Sequence, residues 1–288
     1  MTIQHQSFPP VPDLLKRLGI WLEKGKSQHF LRSQEICARI ADLAGLTREH
    51  LAVEVGAGLG NLTVELSARA RKVVSVEIDE AFRSWHEYLA ASYPEIEFVY
   101  TDFLVVDLES LVTQHAAGGP VCGVGNLPYQ VTSEILFRFV DSPLRFDALV
   151  FMVQKEVAER IAAGPGKRSA GALTYKIALR YTCELAFTIG PELFLPPPRV
   201  DSALIVLRPL DEPFVASVAE RQRVYTLLDG LFRYRRKTLA NALLQSGAVA
   251  ARDDAEAVLR RVGVDPVRRP ETLEITEVLA LSRALAEE

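Results

Sequence analysis

The sequence predicts an α/β protein in which helices cover a parallel sheet, followed by a small all-helical C-terminal domain. Between residues 33 and 163, short apolar runs alternate with segments of helical periodicity, which is typical of a parallel sheet with helices on both faces. From about residue 213 onward the apolar spacing is helical only. A chain of 288 residues also has room for two unequal domains.

Each predicted strand is a short apolar run that stops at a turn or at a polar residue. The predicted helices have apolar residues three and four positions apart, and the first begins at Ser33, a residue type that favours a helix N-cap. The predicted strands cover residues 51–55, 73–76, 96–100, 121–124, 148–153, 184–189 and 203–207. The predicted helices cover residues 33–44, 61–70, 80–91, 132–140, 154–163 and 171–181.

The composition argues against a membrane protein and against a metal site. No stretch of about 18 uninterrupted apolar residues is present. Residues 1–27 have no basic start followed by an apolar block, so we predict a flexible N-terminal arm on a cytoplasmic protein. The three cysteines form no Cys-x-x-Cys pair and are expected to be reduced thiols, and no His-Glu-x-x-His motif indicates a metal.

The net charge of −4 conceals an uneven distribution of charge along the chain. Residues 1–141 hold 12 basic and 18 acidic residues, residues 142–240 hold 15 and 10, and residues 241–288 hold 6 and 9. Aromatic residues lie within the basic segment, and this mixture favours phosphate contacts and base stacking, although a solvated helix face is an equally good interpretation. The basic residues are Arg221, Arg223, Arg233, Arg235, Arg236 and Lys237.

A glycine-rich turn follows the first predicted strand and reads Val-Glu-Val-Gly-Ala-Gly-Leu-Gly over residues 53–60. Gly56 and Gly58 allow the backbone to approach a ligand closely, and the N-terminus of the next helix favours an anionic group. The dinucleotide fingerprint would need a glycine where Asn61 stands. The turn therefore predicts a nucleotide-like cofactor, and its glycine spacing argues against an NAD-linked oxidoreductase.

Acidic residues end the next two predicted strands. Glu77 stands 21 positions after Gly56 and could accept hydrogen bonds from both hydroxyls of a ribose. This role is shared by NAD and S-adenosylmethionine sites, so spacing alone does not separate them, and an acidic helix start is the structural alternative. Asp102 could accept from the amino group of an adenine. Because ligands bind beyond the carboxyl ends of parallel strands, these side chains predict one crevice.

The predicted strand at residues 121–124 leads into Asn126-Leu127-Pro128-Tyr129. Pro128 explains why the strand stops, because it has no backbone donor. An exocyclic purine amine is a poor nucleophile, but the Asn126 side-chain oxygen and the Leu127 carbonyl could bind its hydrogens and direct the lone pair at a methyl donor. Tyr129 would stack on the base, and roughly 1 to 3 kcal/mol of stacking would offset much of the cost of extruding an adenine.

These motifs resemble those of the small-subunit ribosomal RNA adenine dimethyltransferases. The similarity runs from about Gln28 to Leu244. Besides the glycine turn, Glu77, Asp102 and the Asn-Leu-Pro-Tyr motif, it rests on four segments. They are Gln-His-Phe-Leu at 28–31, Gln-Lys-Glu-Val at 154–157, Phe-Leu-Pro-Pro-Pro-Arg-Val-Asp-Ser at 194–202 and Arg-Arg-Lys-Thr-Leu at 235–239.

The resemblance implies a Rossmann-like S-adenosylmethionine-dependent methyltransferase sheet at residues 28–209 and a helical RNA-binding domain at residues 210–288. It also implies dimethylation of N6 of two adjacent adenosines on the pre-small ribosomal subunit, with S-adenosyl-L-methionine as cofactor. Separately, we expect the protein to be a monomer. Tyr129 and Phe194 would sandwich the base. The implied cofactor contacts are His29, Leu31, Gly56, Gly58, Glu77, Asp102 and Asn126. The family usually has Asn where this chain has His29.

Several alternatives share part of this pattern. Methyltransferases of large-subunit RNA and DNA amino methyltransferases have the same kind of adenine pocket. A ribosome-assembly factor could use the fold only as a platform for binding. The presence of Asn126 and Tyr129 argues against pure binding, and the helical tail with its basic segment favours structured RNA.

Overall fold

The computed structural model describes residues 8–20, 29–215 and 217–287. The strands are β1 (Phe30–Leu31), β2 (Leu51–Val55), β3 (Lys72–Glu77), β4 (Ile96–Tyr100), β5 (Val121–Asn126), β6 (Ala148–Gln154), β7 (Tyr181–Ile189), β8 (Phe194–Leu195) and β9 (Ser202–Pro209). The helices are α1 (Val11–Leu18), α2 (Gln34–Leu43), α3 (Asn61–Ser67), α4 (Arg83–Ser92), α5 (Leu108–Ala116), α6 (Thr132–Asp141), α7 (Lys155–Ala162), α8 (Ala172–Ala178), α9 (Val218–Arg233), α10 (Leu239–Ser246), α11 (Arg252–Arg261) and α12 (Ile275–Ala286).

Seven of the described strands form one sheet, in the order β4-β3-β2-β5-β6-β9-β7. The five strands from β4 to β6 are parallel to their neighbours, and β9 runs antiparallel to β6. From β2 the chain proceeds through β3 to β4 in one direction, whereas β5 and β6 extend the sheet in the other. The strand order therefore reverses between β2 and β5, and this is the place where open parallel sheets bind ligands.

The centre of the sheet is apolar because the sheet is covered on both faces. Every residue of β2 is buried, and so are the first six residues of β6. In β5, a Cβ on Gly125 would lie 2.7 Å from the Val55 carbonyl oxygen, so only glycine allows β5 and β2 to approach this closely. Helix α2 begins after Ser33, whose hydroxyl accepts a hydrogen bond from Ile36 N at 3.3 Å, as its N-cap prediction requires.

The predicted α/β architecture with a helical C-terminal region is confirmed. Four short elements were not predicted: the helices α1 and α5, and the strands β1 and β8, which pair antiparallel with Phe30 opposite Leu195. The predicted helix at 154–163 begins one residue later, because Gln154 is the last residue of β6. The strand predicted at 184–189 begins earlier, at Tyr181, where a helix was expected.

The chain divides into two compact units. One contains the chain up to Ala158 together with Glu184–Arg208, and the other contains Glu159–Cys183 together with Pro209–Glu288. The second unit therefore gains a segment that the predicted boundary at residue 209 assigned to the sheet domain. Within it, the buried Lys176 Nζ lies 2.7 Å from an Asp229 carboxylate oxygen, and Tyr175 donates to Leu273 O at 2.6 Å.

The predicted flexible arm at residues 1–27 contains the ordered helix α1. Its buried residues Val11, Leu14 and Leu15 pack in a cluster with Phe30 and Trp85 of the first unit. The remaining residues of the predicted arm, 1–7 and 21–27, and Gln28 of the family motif lie outside the described residues. Among the described ranges, no helix combines the length and the apolar character needed to cross a bilayer.

Candidate active site

A cavity of about 310 Å³ opens at the carboxyl ends of the strands on both sides of the β2–β5 reversal. It lies within the first unit, and most of the predicted site residues reach it. Its lining includes His29, Gly56, Gly58, Glu77, Ile78, Asp102, Asn126, Leu127, Pro128 and Tyr129. A Cβ on Gly56, which has φ of +77°, would lie 3.8 Å from Asn126 O, so a side chain at 56 would enter the gap between the two strand ends.

Glu77 is held beside the glycine turn by backbone donors. Gly58 N donates to Glu77 Oε2 at 2.8 Å, and Ile78 N and Asp79 N donate to Oε1 at 2.8 Å each. The side chain is 5% exposed, and burial raises the pKa of Glu77 while these three N–H groups oppose the rise. Its carboxylate is therefore fixed at the cavity wall with the turn attached to it.

A second carboxyl, which the sequence reasoning did not single out, lies beneath the glycine turn. Glu54 is 1% exposed, and its Oε2 accepts hydrogen bonds from Thr63 Oγ1 and Ser75 Oγ at 2.6 Å each. Burial raises the pKa of Glu54 to about 7, and the nearby Glu77 carboxylate adds to the rise. The bonds connect β2 to α3 and to β3, and so fix the framework around the turn.

Asp102 lies at the cavity wall, in a loop whose carbonyls accept hydrogen bonds from an arginine. Asp102 Oδ1 accepts from Leu104 N at 2.8 Å. Arg138 on α6 donates from Nη1 to Leu104 O at 2.6 Å and from Nη2 to Val106 O. Sequence reasoning missed Arg138, because nothing in the pattern of α6 shows which loop its side chain reaches.

The Asn126 amide has a fixed orientation. Its Nδ2 donates to the backbone oxygen of His29 at 3.0 Å, and because a carbonyl only accepts, Oδ1 is the atom left for another donor. Leu127 N donates to Met152 O at 3.0 Å, which ties the loop to β6. Within the described residues, no group donates to Leu127 O. Two successive residues of the cavity lining therefore each have an oxygen, Asn126 Oδ1 and Leu127 O, that is available to accept a hydrogen bond.

The Tyr129 ring forms an aromatic wall of the cavity. Its centroid lies 5.8 Å from that of the His29 ring, with 27° between the planes. Its hydroxyl is 2.7 Å from Ser202 Oγ, and burial raises the pKa of the Tyr129 phenol, which stays neutral near pH 7. The His29 ring donates from Nδ1 to Pro196 O at 2.7 Å. The Ser202 contact holds the hydroxyl, and the His29 ring is stacked against one face of the Tyr129 ring.

Phe194 and Leu31 are not in the wall of this cavity. They face each other in the β1–β8 pairing and belong to the buried core cluster, with exposures of 2% and 7%. In this structure the β1–β8 pairing buries the Phe194 ring in the core, and its role as the second wall around a base stays a prediction. Leu31 instead lines a hollow of about 50 Å³ behind the glycine turn, together with Glu54 and Asn61.

Five of the six predicted RNA-binding residues lie at least partly on the surface of the second unit. Arg223, Arg233, Arg236 and Lys237 are exposed, and Arg235 is partly exposed. Arg235 donates to Arg168 O and lies 3.9 Å from a Glu271 carboxylate oxygen.

Arg221 departs from this prediction. It is 6% exposed, because it shares the inner face of α9 with Val224, Tyr225 and Leu228 at helical spacing. The structure therefore removes Arg221 from the surface group.

Known proteins resemble almost the whole chain. The model of a family described as Ribosomal RNA adenine dimethylase matches residues 22–281. A protein of Listeria welshimeri named Ribosomal RNA small subunit methyltransferase A is 37% identical over 279 residues, covering 96% of this chain and 94% of that protein. A protein of the same name from Alkaliphilus metalliredigens is 37% identical over 275 residues, covering 95% of each chain.

Solved structures have the same architecture. The 23S rRNA methyltransferase ErmE has a TM-score of 0.66 and 29% identity, covering 89% of this chain and 99% of its own. A dimethyladenosine transferase from Plasmodium falciparum has a TM-score of 0.72 and 24% identity, covering 88% of this chain and 95% of its own. The likeness confirms the predicted Rossmann-like methyltransferase sheet with its helical C-terminal region.

Proposed function

Because the chain belongs to the ribosomal RNA adenine dimethylase family, we propose that it transfers methyl groups from S-adenosylmethionine to N6 of two adjacent adenosines in small-subunit (16S) ribosomal RNA. The reaction would take place on the pre-small subunit, late in its assembly. The observation that carries the proposal is the fixed Asn126 amide beside the Leu127 carbonyl.

The oxygens of Asn126 and Leu127 would bind the target amine as hydrogen-bond acceptors. The N6 amine of adenine has two hydrogens and a lone pair delocalised into the ring. Asn126 Oδ1 and Leu127 O would each accept one hydrogen, so that the nitrogen becomes pyramidal and its lone pair points along one direction. The Asn126–His29 bond and the Leu127–Met152 bond support this role, because they would hold both residues in place while the amine binds.

The cavity wall suits the proposed cofactor. When bound, S-adenosylmethionine supplies an electrophilic methyl group. The Glu77 carboxylate would accept from the ribose hydroxyls, and the second oxygen of Asp102 would accept from the adenine amino group. Gly56 would let the backbone approach the cofactor closely, and its φ of +77° is a conformation that residues with side chains rarely adopt.

Tyr129 would hold the target base by stacking, and its neutral phenol would take no proton. Methylation of the neutral amine gives an N-methylated cation, which is acidic enough to lose its proton to water, so no side chain has to act as a strong base. Stacking on one ring contributes about 1 to 3 kcal/mol, comparable to the few kcal/mol needed to extrude an adenine. The exposed basic residues of the second unit, Arg223, Arg233, Arg236 and Lys237, would contact phosphates.

We further propose that the protein acts as a monomer in the cytoplasm. The buried thiols of Cys37 and Cys122 form no disulfide and suit a reducing compartment.

The decisive experiment measures transfer of labelled methyl groups onto unmodified small subunits, naked small-subunit RNA, large subunits and DNA. We expect transfer to small subunits, with dimethyladenosine found by mass spectrometry. Asn126→Ala should abolish the transfer while particle binding is retained, which separates catalysis from an assembly role. Preferred labelling of large subunits or DNA, or full activity of Asn126→Ala, would contradict the proposal.

A further inference from the structure

Two neighbouring side chains on α4 hold two successive carbonyls of the glycine turn. Trp85 Nε1 donates to Leu59 O at 2.8 Å, and His86 Nε2 donates to Gly58 O at 2.8 Å. Trp85 is 8% exposed and His86 is 1% exposed, so water does not compete for these bonds. Neither residue is among those that line the cavity.

The donor role of His86 follows from its surroundings. A carbonyl oxygen only accepts, so Nε2 carries the proton and Nδ1 accepts from the Tyr100 hydroxyl at 2.7 Å. The imidazole lies on the Phe98 ring, with centroids 3.9 Å apart and 7° between the planes. Burial lowers the pKa of His86 to about 4, so the ring is neutral near pH 7.

The turn has particular need of such anchors. Gly58 and Gly60 have φ of +53° and +84°, and glycine has the largest conformational freedom in the unfolded chain and in loops. Gly58 is held at both ends, since its N–H donates to Glu77 and its C=O accepts from His86. Gly58 therefore connects His86 to the Glu77 carboxylate, which Ile78 N and Asp79 N also hold.

We propose that Trp85 and His86 are positioning residues that preorganise the glycine turn for the cofactor. The inference rests on the proposed binding of S-adenosylmethionine and deepens it. Without these donors the turn would sample other conformations, and ligand binding would have to order it. The effect should appear in cofactor affinity and in KM for the cofactor, whereas kcat at saturating cofactor should stay the same.

Calorimetry with S-adenosylhomocysteine tests the proposal. Trp85→Phe and His86→Leu each remove one donor and should raise Kd by about 3- to 10-fold. His86→Gln keeps an N–H donor of similar reach and should restore most of the affinity. Tyr100→Phe, which no longer fixes the tautomer of His86, should give a smaller rise in Kd.

The control is Leu111→Ala on α5, a buried position that does not line the cavity. It should lower thermal stability without changing Kd, which separates positioning from general destabilisation. Unchanged Kd in both Trp85→Phe and Tyr100→Phe would overturn the inference even if His86→Leu failed to fold, and so would a His86→Gln protein as weak as His86→Leu. If the unsubstituted protein did not bind S-adenosylhomocysteine, the proposed function itself would fail.

Discussion

The Glu54→Gln substitution is expected to stabilise the protein at neutral and alkaline pH. Glu54 is buried beneath the glycine turn and accepts two short hydrogen bonds, from Thr63 and Ser75. Glutamine retains a carbonyl oxygen that accepts both bonds, and it removes the charge that the buried carboxyl acquires as the pH rises.

The size of the effect follows from the pKa of the buried carboxyl. Burial raises the pKa of Glu54 from the ordinary 4.5 to about 7. At about 1.4 kcal/mol for each pH unit, this difference amounts to about 3 kcal/mol. The folded protein holds this proton more tightly than the unfolded chain does. The stabilising contribution of Glu54 is therefore complete below about pH 4.5, declines as the pH rises, and is lost above about pH 7.

Urea denaturation of both proteins between about pH 4.5 and about pH 8 measures this contribution. The difference in free energy of unfolding should shift in favour of Glu54→Gln by about 3 kcal/mol across the range. Any constant effect of the new amide group adds the same offset at every pH. Titrating groups that do not interact with Glu54 contribute equally to both proteins, whereas the Glu77 carboxylate, which raises the pKa of Glu54, is affected by the substitution. A difference that stays constant with pH would refute the conclusion that burial raises the pKa of Glu54.

His86→Leu should show the opposite trend, because burial lowers the pKa of His86 from 6.5 to about 4. In urea denaturation, the free energy of unfolding of the original protein should fall relative to that of His86→Leu as the pH decreases through this interval. A difference that stays constant with pH would argue against a buried neutral ring. Asp102→Ala should weaken binding of S-adenosylhomocysteine about 10-fold, and unchanged calorimetric affinity would remove the adenine contact. Replacing Arg235, Arg236 and Lys237 with glutamine should lower RNA affinity and flatten its dependence on salt, as measured by filter binding. The control replaces the three arginines of α11 with glutamine. If RNA affinity depended on salt equally in the two triple variants, Arg235, Arg236 and Lys237 would not be specific phosphate contacts.

The sequence contained enough information to locate most of the candidate site. Gly56, Glu77, Asp102 and Asn126 each follow or end a strand of a parallel sheet, and such ends meet at one edge. Short apolar runs were sufficient to predict these strands, although only β2, β3 and β5 are almost fully buried and most of β4 is partly exposed. The alternation of strands and helices then predicted the α/β class.

The remainder depends on contacts that periodicity does not encode. β1 and β8 have two residues each, too few for a pattern, and their pairing buries Phe194 in the core. Arg221 was assigned to the surface because it is charged. In the folded chain it lies on the face of α9 that also carries the buried apolar residues, so it is buried with them. The roles of Glu54 and Arg138 depend on distant partners, which only the folded chain brings together.

The β1–β8 pairing also has a consequence for synthesis of the chain. His29, whose carbonyl accepts from the Asn126 amide, directly precedes β1. The partner of β1 is β8, which is synthesised after both the glycine turn and the Asn-Leu-Pro-Tyr motif. A nascent chain that has not reached Leu195 lacks the partner that holds this segment in place. Contacts so distant in sequence form late, so an incomplete polypeptide is not expected to have a finished pocket.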